Sequence, residues 1–277
     1  MEQVAASTES DFEILTFEAP EGCLVSVAPK RGGIITSIII AGQEILFMNR
    51  ETFGNPEKNV RGGIPNLFPF SGPATDGIRE RYPELTRQHG FARNADAWTC
   101  VPLPDGRRGF RETLASDSAT RSVFPSAFEY AIEGEFSDDG AFTIRQAVTN
   151  TGEEPMPVSM GLHPYFAAAH DRRRDVRFDF PGGDRVAREY DHWTTGGTTK
   201  IDNPGALAVG IPGLGTIRME VSPEYRKIFV WSEGPEDDYV CIEPVMRDDG
   251  GLAIDPEMIA PGAIFETSVT YRLDLDT

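Results

Sequence analysis

Apolar and polar positions alternate with a period of two over several stretches of the chain. Phe142, Ile144 and Val148 are interleaved with Thr143 and Arg145, Val176, Phe178 and Phe180 with Arg177 and Asp179, and Ile217, Met219 and Val221 with Arg218 and Glu220. Each stretch predicts a strand with one face buried and one in water, because successive side chains of an extended chain point to opposite sides. The pattern is longest near the C-terminal end. There Phe265, Thr267, Val269, Tyr271 and Leu273 share one face, and Glu266, Ser268, Thr270, Arg272 and Asp274 share the other. Burial on one side only is the habit of antiparallel sheets. Turn pairs such as Asp105-Gly106, Asp139-Gly140 and Asp249-Gly250 punctuate the runs, and no comparable helical period is found. The expectation is a mainly β protein: one large antiparallel β-sandwich over residues 11–277, preceded by a loose tail over residues 1–10.

Composition narrows the function classes. With 277 residues, 39% of them hydrophobic, the chain can bury a large core without staples. A net charge of −18 repels nucleic acid and anionic membrane surfaces, so neither is expected as a partner. The greasiest stretch, residues 33–40, is too short to span a bilayer, and the first ten residues lack a basic then apolar leader; a cytoplasmic protein is expected. Cys23, Cys100 and Cys241 are far apart and form no CxxC pair, which points to reduced thiols. The four histidines fit no ligand spacing, and HExxH, Walker, GxGxxG and GxSxG strings are absent. Neither a metal nor a cofactor is expected.

Four stretches depart from simple strand patterning. Residues 61–73, RGGIPNLFPFSGP, hold three prolines and four glycines or serines among aromatics, and the double glycine allows a close backbone approach. Residues 88–93, QHGFAR, offer an imidazole, bare backbone and a cation beside an aromatic, leading to Trp98. If residues 156–163 are extended, Met156, Val158, Met160 and Leu162 face the core while Ser159, Gly161 and His163 face the other way, like a cleft floor with an imidazole at its rim. Tyr239 to Pro244 repeats that design: Val240 and Ile242 on the core face, Tyr239, Cys241 and Glu243 opposite. A carboxylate in an apolar strand is either paired or functional. Asp191, in YDHW, suits a sugar contact or a surface turn, and Arg172-Arg173-Arg174 suits a solvated loop or an anion contact.

Taken in order, RGGIPNLFPF, QHGFARNADAW, GLHPYF and YVCIEP resemble the aldose 1-epimerase, or galactose mutarotase-like, family. The resemblance implies a β-supersandwich with a sugar cleft on one sheet and an isomerase that interconverts α and β anomers by acid/base ring opening and reclosure. By motif position it implies His163 as general acid, Glu243 as general base and His89 as a hydrogen-bond partner of the sugar. Arg61, Arg93 and Asp191 are further substrate-binding candidates. The HGFAR form resembles the hexose-6-phosphate epimerase branch, and HPYF the broader aldose epimerases, so the partner expected is a small sugar or a sugar phosphate. Pro73 stands where many neutral-sugar members carry an arginine, a role that Arg61 or Arg79 could take. For such chemistry Glu243 has to begin ionised and His163 protonated, on opposite sides of the sugar, and the acidic chain is expected to favour the imidazolium. Two other classes stay open on the residues alone. One is a non-catalytic sugar-binding sandwich using Trp98, Trp193 and Trp231 as platforms; the other is a glycosidase pairing Glu243 with Asp191.

Overall fold

The computed structural model describes residues 4–275. It is a mainly β, antiparallel structure. Five strands, Val4–Glu9, Phe12–Ala19, Cys23–Ala28, Ile34–Ile40 and Gln43–Glu44, pair in chain order as a meander. The largest sheet has eight strands. Across it run Arg177–Asp179, Ala206–Ile211, Gly215–Val221, Ile264–Asp274, Phe142–Asn150, Phe128–Phe136, Arg108–Ala115 and Thr99–Pro102. A six-stranded sheet carries Thr199–Asp202, Lys227–Trp231, Tyr239–Val245, Gly161–Leu162 and Asn66–Leu67, with Tyr165–Ala167 also on Tyr239–Val245. Met156–Val158 and Glu257–Ile259 form a separate two-stranded ribbon.

The alternating stretches become strands for the reason their pattern gives. Phe142, Ile144 and Val148 are buried, as are Ile217, Met219 and Val221, and Val269 and Tyr271 lie on the inner face of the C-terminal strand. Gln146 breaks the apolar face of its strand, yet it is satisfied in the core by the hydroxyls of Tyr130 and Tyr225. Phe68, from the proline-rich loop, stacks on Tyr130 with centroids 4.7 Å apart and so ties that loop to the eight-stranded sheet.

Three local expectations are corrected. Residues 4–9 of the expected tail form the strand Val4–Glu9, joined to Phe12–Ala19 through Ser10 and Asp11, both at positive φ; residues 1–3 lie outside the described residues. Residues 5–8 are exposed, so the strand is held by main-chain pairing and leaves no burial period to read. The run 176–180 is strand only over Arg177–Asp179, because Pro181 and the turn closed by the Gly183 N–H on the Phe180 carbonyl end it. The 156–163 stretch is split between two sheets. Ser159 leaves the ribbon to exchange hydrogen bonds with Pro69 and Ser71, and pairing resumes at Gly161.

Candidate active site

Strand register brings the two principal candidates together. Gly161 is paired with Val245 and Tyr165 with Cys241 in antiparallel sense. Counting inward from either pair sets His163 opposite Glu243, and both project to the face away from Val240 and Ile242. The result is His163 Nε2 at 3.4 Å from Glu243 Oε1, with both residues 4% exposed. The expectation of an acid and base on opposite sides is therefore corrected: they stand side by side on one cleft wall. Pro164 keeps His163 out of the helical region, and the His163 N–H donates to the Pro65 carbonyl at 3.1 Å, so the glycine-proline loop fixes the backbone beneath the imidazole. The glycines are needed here, because a Cβ on Gly62 would overlap Met48 and one on Gly63 the Ile35 carbonyl. The imidazole stacks flat on Tyr165, 4.6 Å between centroids and 9° between planes, and meets Trp231 edge-on at 5.7 Å.

His89 comes from a different segment. Its φ is +65°, a strained value for a residue with a side chain, and two hydrogen bonds to one residue hold it there. The His89 N–H donates to the Gly72 carbonyl at 2.8 Å, and the Gly72 N–H donates to His89 Nδ1 at 2.9 Å. With Nδ1 accepting, the neutral ring carries its hydrogen on Nε2, a donor. The ring lies edge-on to His163 at 5.4 Å.

His89, His163 and Glu243 line a cleft of about 280 Å³ with Arg61, Gln88, Trp231 and Asp249. Such a volume suits a single monosaccharide-sized ligand. Burial pushes the Glu243 carboxyl from its ordinary 4.5 up to about 8, with Asp249 adding to the rise and Arg93 and Lys200 opposing it. Burial also holds His163 well below its ordinary value, reinforced by His89, Arg93 and Arg61; His89 is lowered by burial and the same two arginines. Both directions oppose the expected starting state of an ionised Glu243 and a protonated His163. Burial favours the neutral form of each group, a protonated carboxyl at Glu243 and uncharged imidazoles at His163 and His89, and Arg93 and Arg61 add to this at the two histidines whatever the net charge of the chain.

The remaining candidates separate. Arg61 lines the cleft, but its Nε and Nη2 are both engaged by Glu233, each at 2.8 Å, and its guanidinium lies 5.4 Å from the Trp231 ring centroid. Arg93 is 4% exposed, donates to the Val60 carbonyl at 3.1 Å and does not line the cleft; it acts on the site from behind, through its charge. Asp191 is excluded from the site. It stands exposed on the short helix Tyr190–Trp193, paired with Arg174 at 2.8 Å, because that helix turns its Trp193 inward and its carboxylate to water. Arg79 is also outside, bound to Asp76 and the Ala74 carbonyl, and Pro73 itself forms part of the wall. Of the three tryptophans only Trp231 reaches the cleft. Trp98 and Trp193 are fully buried, each with its indole N–H on a backbone carbonyl. Without Asp191 the proposed glycosidase pair does not exist, and with one platform the stacking argument for a binding module loses two of its three rings.

Two residues escaped the sequence reading. Asp249 was a turn residue by pattern; in the fold its carboxylate sits against Gly72, where a Cβ would overlap Oδ1, and is paired with Lys200 at 2.6 Å. Gln88 precedes His89 and turns into the same cleft. Cys241 has a ligand atom within 4.8 Å of those of His163 and Glu243, but it sits in an aromatic cluster with Tyr165 and Tyr239, and burial holds its thiol protonated. All three cysteines are free. Among the described residues no helix is long and apolar enough to cross a membrane.

A family model described as aldose 1-epimerase matches residues 13–206. The chain belongs to the aldose 1-epimerase family, a family of isomerases. Arg61, His89 and His163 fall within the matched segment and Glu243 beyond it, so the glutamate rests on its motif and on the register that faces it to His163. A Cenchrus ciliaris protein named "Putative glucose-6-phosphate 1-epimerase" is 25% identical over 168 residues, 57% of this chain and 48% of that protein, so the match spans about half of that relative's length. The crystal structure of the Slr1438 protein from Synechocystis sp. PCC 6803 is similar with a TM-score of 0.78 at 25% identity, covering 95% of this chain and 96% of that one. A galactose mutarotase related enzyme from Lactobacillus acidophilus shares the fold, with a TM-score of 0.73 at 21% identity over 95% and 97% of the two chains. The galactose mutarotase-like supersandwich implied by the sequence motifs is the fold.

Proposed function

We propose that this epimerase interconverts the α and β anomers of an aldopyranose, with His163 and Glu243 as the proton-transferring pair. The observation that carries the reading is their 3.4 Å separation on one buried wall of a monosaccharide-sized cleft. Ring opening takes the proton from the C1 hydroxyl and delivers one to the ring oxygen; both oxygens are bonded to C1, so two groups standing side by side can reach them together. Rotation about C1–C2 and reclosure with the roles exchanged give the other anomer and return each group to its starting state. Positioned proton transfer of this kind contributes on the order of 10² to 10⁴ in rate per group.

One proton shared by the pair suffices, and its position is set by solvation. Burial favours Glu243 as its holder. Sugar hydroxyls that donate to the carboxylate offset its burial and favour moving the proton to His163, the arrangement the resemblance implies. Both forms hold the same number of protons, so they belong to one macroscopic state and a pH profile sees them as one. An ¹⁵N spectrum of the His163 ring, without sugar and with it, distinguishes them. His89 supports the reaction as a neutral Nε2–H donor.

A neutral aldose is the substrate supported best, because both oxygens of Glu233 occupy the fork of Arg61 and Asp249 neutralises Lys200, which leaves no uncommitted cation lining the cleft among the described residues. The name of the Cenchrus relative favours a second reading, a hexose 6-phosphate. Anomer exchange of glucose, galactose and glucose 6-phosphate, followed by NMR, tests both. The neutral sugars are expected to show the higher kcat/KM; a preference for the 6-phosphate would overturn the substrate assignment, and no exchange above the spontaneous rate with any aldose would overturn the activity.

A further inference from the structure

The Arg172-Arg173-Arg174 run is not used by the catalytic cleft. It lies on the 3-10 segment His170–Asp175, and its three side chains divide between two environments. Arg173 turns inward. It is 1% exposed and donates to Ser232 Oγ and to the carbonyls of Gly234 at 2.9 Å, Pro235 at 2.6 Å and Tyr239 at 3.2 Å. Four hydrogen bonds from one buried guanidinium pin the backbone that carries its neighbours.

Arg172 and Arg174 turn outward and, with Arg177, line a second cleft of about 590 Å³, roughly twice the volume of the catalytic one. Its floor is Gly210, flanked on the adjoining strands by Arg177 and Thr216. A Cβ on Gly210 would lie 3.6 Å from Arg177 Cβ and 3.7 Å from Thr216 Oγ1, so the missing side chain leaves open the space beside a cation and a hydroxyl. At the far wall Arg172 Nη1 reaches the Pro212-Gly213 turn, 3.9 Å from where a Gly213 Cβ would stand. Arg174 is stacked on Tyr190 with 4.1 Å from guanidinium carbon to ring centroid and is paired with Asp191. Asp175 is the one acidic residue in the lining. Among the described residues Arg172 and Arg177 form no ion pair, although the chain carries 44 acidic residues against 26 basic ones. In such a chain, two arginines without an ion pair in one cleft, beside a glycine and with a single carboxylate in the lining, make a local exception to the field of the molecule.

We propose that this cleft binds a phosphorylated small molecule, its phosphate gripped by Arg172 and Arg177 with the Thr216 hydroxyl, at a site separate from the catalytic cleft. Planar guanidinium forks match phosphate oxygens in pairs, and the floor admits a compact tetrahedral group. The cleft volume leaves room for a sugar-sized remainder extending toward Arg174.

Isothermal titration at fixed ionic strength tests this with three probes: inorganic phosphate, glucose 6-phosphate and glucose. Wild type is expected to bind both phosphate-containing probes, and R172S/R177S to bind inorganic phosphate more weakly by on the order of tenfold or more, as expected for losing charge-assisted hydrogen bonds. Glucose gives the binding of the catalytic cleft alone, and anomer exchange in the double variant should match wild type, which shows that it is folded. Equal phosphate binding by wild type and R172S/R177S, or none by wild type, would overturn the site. Binding of the ester alone, unchanged in R172S/R177S, would assign it to the catalytic cleft and overturn the proposal equally. If the double variant exchanges anomers poorly, the single variants R172S and R177S are scored instead by the same phosphate titration.

Discussion

Replacing Glu243 with glutamine separates a catalytic carboxyl from a structural one, because it is expected to remove activity and add stability at once. The amide keeps the volume but cannot take up or release the shared proton, so anomer exchange should fall by on the order of 10² to 10⁴. Stability changes through burial. Glu243 holds its proton up to about pH 8 in the folded protein, against an ordinary value of 4.5. Between those values the folded state binds more protons than the unfolded one, so wild-type stability falls as pH rises through that window and levels off above it. The full fall corresponds to about 5 kcal/mol, a ceiling that water in the cleft lowers. Glutamine has no such dependence. Its advantage should therefore be near zero at about pH 5 and grow to a few kcal/mol at about pH 9. Urea unfolding of both proteins at the two pH values, beside polarimetry on the same preparations, measures it. An E243Q stability difference that is the same at both pH values would refute the claim that burial raises this carboxyl, and retained anomer exchange would refute its role as a proton carrier.

Other outcomes follow from the same geometry. His163→Asn should lose most of the activity and His89→Asn less, since the first exchanges a proton and the second only donates a hydrogen bond; the reverse order in an anomer-exchange assay would exchange their roles. Asp191→Asn should leave kcat/KM within twofold or so of wild type, because losing an exposed ion pair outside the cleft is worth about 1 kcal/mol of stability at most. Glu112, fully buried in the strand Arg108–Ala115 with neither oxygen hydrogen-bonded, is also raised by burial to about 8. Glu112→Gln should reproduce the pH-dependent stability gain of E243Q in urea unfolding while anomer exchange stays at the wild-type level.

How much of this was legible in the sequence depended on the range of the interaction. Side-chain alternation is a property of neighbouring residues, so the strands 142–150 and 215–221 and the C-terminal strand could be read directly, as could the faces of Val240, Ile242, Cys241 and Glu243. The exposed strand Val4–Glu9 could not, since it is defined by hydrogen bonds to a partner and not by burial. The motifs placed His89, His163 and Glu243 in one site without saying how they meet. Register decided that: two short strands on either side of His163 pair with Tyr239–Val245 and set the imidazole beside the carboxylate rather than across from it. Electrostatics belonged wholly to the tertiary structure. A net charge of −18 describes the whole molecule, whereas the protonation of His163 follows from burial beside Arg61 and Arg93, two arginines brought in from distant segments. The same holds for the separation of Asp191 from the site and the arrival of Asp249. A residue type within a motif determines what chemistry a position can perform, and only the folded chain decides which positions share a wall, how dry that wall is, and which charges stand behind it.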